Sequence, residues 1–366
     1  MRVMSLMGTR PEVIKLAPVH MALARDPASF KPVICVTGQH RQMLDRAMED
    51  FGLTADYDLK LMVDGQGLAD LSGRLLESVT ALIQRAPPDV LLVQGDTTSA
   101  AMGAIAAFYE RVPVGHVEAG LRTRDRYNPF PEEINRRLVS AVATYHYAPT
   151  QTAIDALARE GVAAESVLLT GNTVVDALTY MAGQVGDPPQ QEGRLVLVTA
   201  HRRESFGPDF ESICMSLRDL VRRNPDVHIV YPVHLNPNVR EPVNRILAGE
   251  PRVELREPVG YRDLVLLMKG AYMVLTDSGG IQEEAPVLGK PVLVMRHVTE
   301  RPEAIAAGTA KLVGTDRERI VAEAERLLND PAEYERMAKA VSPYGDGHAA
   351  ERIANHLASV RPPPDR

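Results

Sequence analysis

Residues 90–117, VLLVQGDTTSAAMGAIAAFYERVPVGHV, decide the fold. Val90–Gln94 is a short apolar run that stops at the polar turn Gly95-Asp96-Thr97. Thr98–Glu110 reads as a helix, and Val112–Val117 is a second short apolar run. Strand, helix and strand in that order form a βαβ unit, and its two strands lie parallel in one sheet.

The alternation continues in both directions. Strands are expected at Arg2–Met7, Pro32–Thr37, Tyr145–Ala148 and Val167–Thr170, with helices over Glu12–Arg25 and Leu68–Arg85. It breaks at Gly183–Gly193, GQVGDPPQQEG, whose Pro, Gly and Gln predict an interdomain linker at 183–193. It then resumes with strands at Leu195–Thr199, His228–Val233, Val253–Leu255, Met273–Thr276 and Pro291–Met295. Helices lie between these strands and continue from about Asp316 to the end. The expected fold is α/β, with two Rossmann-like domains carrying parallel sheets and facing each other across a cleft. The first domain covers 1–182 and the second 194–348. Ligands of open parallel sheets bind outside the carboxyl ends of the strands, so the residues that follow each strand hold the chemistry.

Bulk composition excludes several classes. The 366 residues suit two domains, and 45% hydrophobic with 24% charged residues is globular composition. No apolar run approaches the ~20 residues of a membrane span, and MRVMSLMGTR lacks the apolar core of a signal peptide. A cytoplasmic protein without membrane association is expected. A net charge of -7 argues against a nucleic-acid partner. Cys35 and Cys214 sit in apolar patterns and read as buried free thiols, too few for a cysteine-rich zinc site. Asp56-Tyr57-Asp58 is a DxD in a polar stretch, and no metal is expected there.

The first strand ends in Gly8-Thr9-Arg10-Pro11-Glu12, with Lys15 one turn on; a helix start with two cations suits an anion, and reads equally as a plain βα turn with a solvated basic face. The third array strand ends before Asp96, which could cap the next helix or present a carboxylate to the cleft. Glu118 closes a strand just before Ala119-Gly120, a poor fit to either core or cap. Glu132 and Glu133 open a helix that carries Arg136 and Arg137. Asp96, Glu118 and Glu132 therefore gather near one edge of the first sheet, where environment can separate an acid from a base. In the second half, strands end at His201-Arg202 and at His234. Asp277-Ser278-Gly279-Gly280 joins strand to helix with free N–H groups suited to a phosphate, and Glu283 and Glu284 follow. These glutamates either compensate the helix dipole or grip ribose hydroxyls. Cations at strand ends of an acidic protein fit a diphosphate ligand. GxxxxGK[ST], a strand-linked GxGxxG and HExxH are absent from the chain.

Taken in order, GTRPE, GQHRQML, GDTTS, GHVEAGLR, PFPEE, GNTVVDAL, HRRE, YPVHLNPNVREPVNRIL, TDSGGIQEEAP, LGKPVLVMR and TERPE resemble the non-hydrolysing UDP-N-acetylglucosamine 2-epimerases. The resemblance runs from about residue 1 to residue 355. It implies the GT-B arrangement, with a last helix at 349–366 that rejoins the first domain. It also implies interconversion of UDP-GlcNAc and UDP-ManNAc with neither metal nor cofactor, in a homodimer that supplies ManNAc donors for surface polysaccharide.

The resemblance assigns roles as well. Asp96, Glu118 and Glu132 become acid/base candidates, and His201 acts at the sugar or the leaving phosphate. Arg10, Lys15 and Arg136 hold charge around the site. Ser278, Gly279 and Gly280 bind the diphosphate with His234 nearby, Glu284 the ribose and Arg301 the nucleotide end. Some members bind a second UDP-GlcNAc as activator through the region matching Gln39, His40 and Gln42; an Arg that assists there is matched by Gly65 in this chain.

Overall fold

The computed structural model describes residues 1–38, 41–63, 65–188 and 192–360, without the side chains of 41 and 42. Gln39, His40 and the side chain of Gln42, the candidate second-nucleotide segment, lie outside the described residues. The chain divides into two compact units, Met1–Tyr180 with Tyr344–Arg366, and Met181–Pro343.

The first unit contains β1 (Arg2–Met7), β2 (Lys31–Val36), β3 (Tyr57–Asp58), β4 (Val90–Gln94), β5 (Val114–Val117), β6 (Tyr145–Ala148) and β7 (Val167–Leu169). They pair in the order β3-β2-β1-β4-β5-β6-β7, all parallel. The second unit contains β8 (Arg194–Thr199), β9 (Val227–Pro232), β10 (Val253–Arg256), β11 (Met273–Thr276), β12 (Val292–Val294) and β13 (Ala310–Leu312). Its order is β10-β9-β8-β11-β12-β13, again parallel. The fold is thus α/β with two parallel sheets. β3 and β13 escape detection from sequence because Asp58 and Lys311 break their short runs, whereas β7 and β12, also short, are continuously apolar.

Each sheet is covered on both faces, so its strands are apolar on both sides. In the first unit Val3, Ile34 and Leu92 pack with Leu16 and with Ile353 of the Ala349–Ser359 helix. On the opposite face Met4, Leu6, Val33 and Leu91 pack with Leu82 and Ala104. Each such fully buried side chain contributes roughly 1.5–3 kcal/mol. The returning helix starts on Asp176, whose carboxylate accepts from the N–H groups of Ala349 (3.3 Å) and Ala350 (2.8 Å). Gly183 and Gln184, expected in the linker, instead complete the Thr173–Gln184 helix. The buried row Val174, Leu178, Met181 carries the helical pattern through those polar positions.

Strand order reverses between β1 and β4 in the first unit, and between β8 and β11 in the second. At such a point the two following helices leave toward opposite faces, which opens a crevice at the carboxyl ends of the strands. Four turns are therefore singled out: those after β1, β4, β8 and β11.

Among the described residues no helix is long and apolar enough to cross a membrane. Cys35 and Cys214 are buried and free. The Asp56 carboxylate accepts from the Ile34 N–H (2.8 Å) and Asp58 from the Lys60 N–H (3.0 Å). The DxD thus finishes the sheet edge.

Candidate active site

The β4 turn holds Asp96. Its carboxylate oxygen Oδ2 takes both Nε (2.8 Å) and a terminal nitrogen (2.6 Å) of the Arg136 guanidinium. The cap of the following helix is Thr97, which accepts from the Ala100 N–H (3.0 Å). Of the two readings open for Asp96, the structure therefore rejects the cap. The turn is held residue by residue. The His116 ring pairs with the Gly95 carbonyl (2.8 Å), and the Asn135 amide donates to the Asp96 carbonyl (2.9 Å). His116 is fully buried, and burial lowers its pKa to about 3. The neutral ring thus donates from Nε2, because a carbonyl can only accept.

Glu118 follows β5 with φ of +64°. A side chain in the left-handed region costs about 1–3 kcal/mol, and such strain collects at functional sites. Around it, the carboxylate accepts from Lys15 Nζ (2.5 Å), from Asn172 Nδ2 (2.9 Å) and from the Gln94 amide. The position of a β-carbon on Gly95 would be 3.6 Å from Glu118 Oε2, so Glu118 abuts the Asp96 turn. Two residues on, Gly120 has φ of +93°, and a β-carbon there would meet the Ala153 carbonyl oxygen at 2.4 Å. Only glycine fits that corner.

The Glu132-Glu133 pair divides its work. Glu133 is fully buried and accepts from Thr123 N–H (3.0 Å), Arg136 (3.3 Å) and Arg137 (3.2 Å). It is the structural member. Glu132 opens the helix that also brings Arg136 to Asp96, and its Oε2 is buried with no hydrogen-bond partner among the described residues. Arg10 opens the helix after β1 and carries no ion pair among the described residues. The first unit therefore brings together Asp96, Glu118, Lys15 and Arg136, with Glu132 one helical turn from Arg136.

In the second unit, buried Asp277 bridges the β8 and β11 turns: its Oδ2 accepts the N–H groups of His201 (2.6 Å) and Arg202 (2.7 Å). His201 stacks on His234, ring centroids 5.3 Å apart, with its Nδ1 3.7 Å from Asp277 Oδ1. Ser278 caps the Gly279–Glu284 helix by position, yet its side chain makes no capping bond. The guanidinium groups of Arg301 and Arg202 lie 3.8 and 4.0 Å from where Gly279 would carry a β-carbon. Glu283 and Glu284 close this short helix, so they do not compensate its N-terminal dipole. Glu283 holds Arg301, and Glu284 accepts from the Tyr261 hydroxyl (2.8 Å).

Sequence reading missed Glu12, Gln94, Asn172, Asp277 and Tyr261. Glu12 did leave a signal: Thr9-x-x-Glu12 is the spacing of a capping box, whose acid reaches back to the cap N–H.

Comparisons with known proteins bear on what this arrangement serves. The family model described as UDP-N-acetylglucosamine 2-epimerase matches residues 21–358. The UDP-N-acetylglucosamine 2-epimerase of Escherichia coli (strain K12) is 53% identical over 374 residues, covering 99% of each chain. The crystal structure of UDP-GlcNAc 2-epimerase from Neisseria meningitidis bound to UDP-GlcNAc superposes with TM-score 0.91 at 42% identity. That match covers 98% of this chain and 99% of the other. The Methanocaldococcus jannaschii enzyme in complex with UDP-GlcNAc and UDP superposes with TM-score 0.79 at 31% identity, over 98% and 99% of the two chains. With the family model matching residues 21–358 and a relative 53% identical over 99% of the chain, the chain belongs to the UDP-N-acetylglucosamine 2-epimerase family.

Proposed function

We propose that this enzyme, an isomerase, interconverts UDP-GlcNAc and UDP-ManNAc by eliminating and re-adding UDP. The supporting observation is the cluster at the β4 and β5 ends, where Asp96 and Glu118 meet different partners while Glu132 keeps a buried oxygen without one among the described residues. Carboxylates in unlike surroundings suit an acid and a base.

The chemistry requires both. The sugar C2–H is not next to a carbonyl, so its removal needs another sink for the electrons. One carboxylate takes the C2 proton, the C2–H electrons form C1=C2, and the C1–O bond breaks to release UDP. UDP then adds back to C1 while a carboxylic acid protonates C2 on the other face. Proton transfer by positioned groups contributes about 10²–10⁴-fold. Arg10, Lys15 and Arg136 offset charge around the carboxylates. His201, Arg202 and Ser278–Gly280 receive the diphosphate, Glu284 the ribose and Arg301 the nucleotide end, and His234 supports His201. This reading involves no metal and no cofactor. The resemblance further supports a cytoplasmic homodimer that supplies ManNAc donors for surface polysaccharide.

The test is NMR of UDP-GlcNAc incubated with the enzyme in deuterated water. Both UDP-sugars should appear, with deuterium at C2 of the product. Product without C2 deuterium would refute elimination, and free ManNAc or a transfer product would refute epimerisation.

A further inference from the structure

We propose that Glu12 is a positioning residue that locks the Arg10 turn and the Asp96 turn into one register at the switch point. The proposal rests on the reading of Asp96 as an acid/base group. Three hydrogen bonds carry it. Glu12 Oε2 accepts from the N–H groups of Gly8 (2.8 Å) and Thr9 (2.6 Å), both in the turn after β1. Glu12 Oε1 accepts from the Thr97 hydroxyl (2.6 Å), in the turn after β4. Of the bonds that hold Gly95, Asp96 and Thr97, the one from Glu12 alone among those described above also holds the neighbouring turn. His116 and Asn135 reach the β4 turn from the β5 side.

Burying a carboxylate is costly, and Glu12 is 1% exposed. A capping box on the surface needs no such burial. What burial adds is rigidity: a short, fully enclosed side chain bonded at both oxygens cannot drift. Arg10 begins its helix one residue after the tethered Thr9 N–H, and Asp96 directly precedes the tethered Thr97. A displacement of either turn would move the Arg10 guanidinium or the Asp96 carboxylate against the substrate. Misplacement by 1 Å can cost about 10²-fold in rate.

The experiment compares Glu12→Gln, Glu12→Asp and Thr97→Val with wild-type enzyme in the UDP-GlcNAc assay, recording kcat, KM and Tm. Wild-type conversion tests the epimerase reading separately, and the proposal stands on the ratios between variants. Glutamine fills the same space: its oxygen can accept from Gly8 and Thr9, and its NH2 can donate to the Thr97 hydroxyl. Aspartate is one methylene shorter and cannot reach both turns. Expected are a Gln variant within about threefold of wild-type kcat and an Asp variant slower by about 10²-fold with KM nearly unchanged. Thr97→Val should slow turnover in the same sense, and its effect should not add to that of Glu12→Asp. A folded Asp variant with near wild-type kcat would overturn the proposal. So would a Gln variant as slow as the Asp one, because the charge or proton of Glu12 would then be in use.

Discussion

Removing Lys15 tests whether its salt bridge behaves as a buried pair or as an exposed one. Lys15 Nζ lies 2.5 Å from Glu118 Oε1, and the two side chains are only 12% and 6% exposed. An exposed pair contributes roughly 0–1 kcal/mol. Removing one partner of a buried pair costs about 3–5 kcal/mol, because the remaining charge is left uncompensated. Glu118 keeps its donors Asn172 and Gln94, which places Lys15→Met at the low end, about 3 kcal/mol. In a unit of about 200 residues, 1 kcal/mol shifts Tm by roughly 2–4 °C, so a loss of about 6–12 °C is expected. Thermal unfolding followed by circular dichroism reads it directly. Glu118→Gln in the Lys15→Met background removes the orphaned charge and should recover most of the loss. The four proteins of this cycle yield the pair's coupling energy. A Lys15→Met protein within about 2 °C of wild type, with coupling under about 0.5 kcal/mol, would refute the argument and return the pair to the exposed class.

Three further outcomes are expected. Asp96→Asn should lower turnover by about 10²-fold or more while calorimetric UDP binding survives, and near-normal turnover would remove Asp96 from the chemistry. Gly120→Ala should cost well over the ~1 kcal/mol of a simple positive-φ substitution, because its methyl meets the Ala153 carbonyl, 2.4 Å away. Gly161→Ala, at φ of +83° with nothing within 4 Å, supplies the control, and equal Tm losses would dismiss the clash. Finally, burial raises the Glu12 carboxyl from 4.5 to about 7 against the pull of its hydrogen bonds. A raised carboxyl binds its proton more tightly in the folded state, so stability from Glu12 is full below the unfolded pKa and falls as pH rises toward 7. Relative to Glu12→Gln, wild-type protein should lose up to about 3 kcal/mol between pH 4.5 and 7 in urea titrations; parallel stability profiles would refute the shift.

What could be read from the sequence follows from the range of each interaction. The βαβ alternation rests on local periodicity, so Arg2–Met7, Val90–Gln94 and Tyr145–Ala148 were legible to the residue. Asp96, Glu118, His201 and Ser278 were legible as strand-end polar residues, since an open parallel sheet puts its ligands there. Asn172 and Asp277 were not. Asn172 reaches Glu118 from 54 positions away, and Asp277 reaches the His201 turn from 76. No local pattern encodes a contact set by strand order. The Glu132-Glu133 pair shows the same limit within one helical turn. Both suit a helix start, and only tertiary partners make Glu133 structural while leaving Glu132 Oε2 without a partner among the described residues.

The two switch points share a design that the strand order makes necessary. Where the turns after two adjacent strands diverge, the backbone ladder stops at the strand ends, as at the Asp277 N–H to Thr199 carbonyl bond (3.0 Å), so side chains supply the link beyond it. In the first unit that link is Glu12, taking Gly8 and Thr9 on one side and Thr97 on the other. In the second it is Asp277, which follows β11 and takes the His201 and Arg202 N–H groups after β8. A carboxylate suits this place because its two oxygens can accept several N–H and O–H donors at once, while a hydroxyl or amide offers fewer acceptors. Four of the residues proposed to meet the substrate, Arg10 and Asp96 in one unit and His201 and Ser278 in the other, stand within one position of a group bound by such a carboxylate or of the carboxylate itself. Rigidity at the reacting groups is thus supplied by acids that need never touch the sugar. On this argument Asp277→Asn should disturb His201 through its backbone, because the amide keeps an acceptor oxygen but loses the charge that draws two N–H groups to one atom.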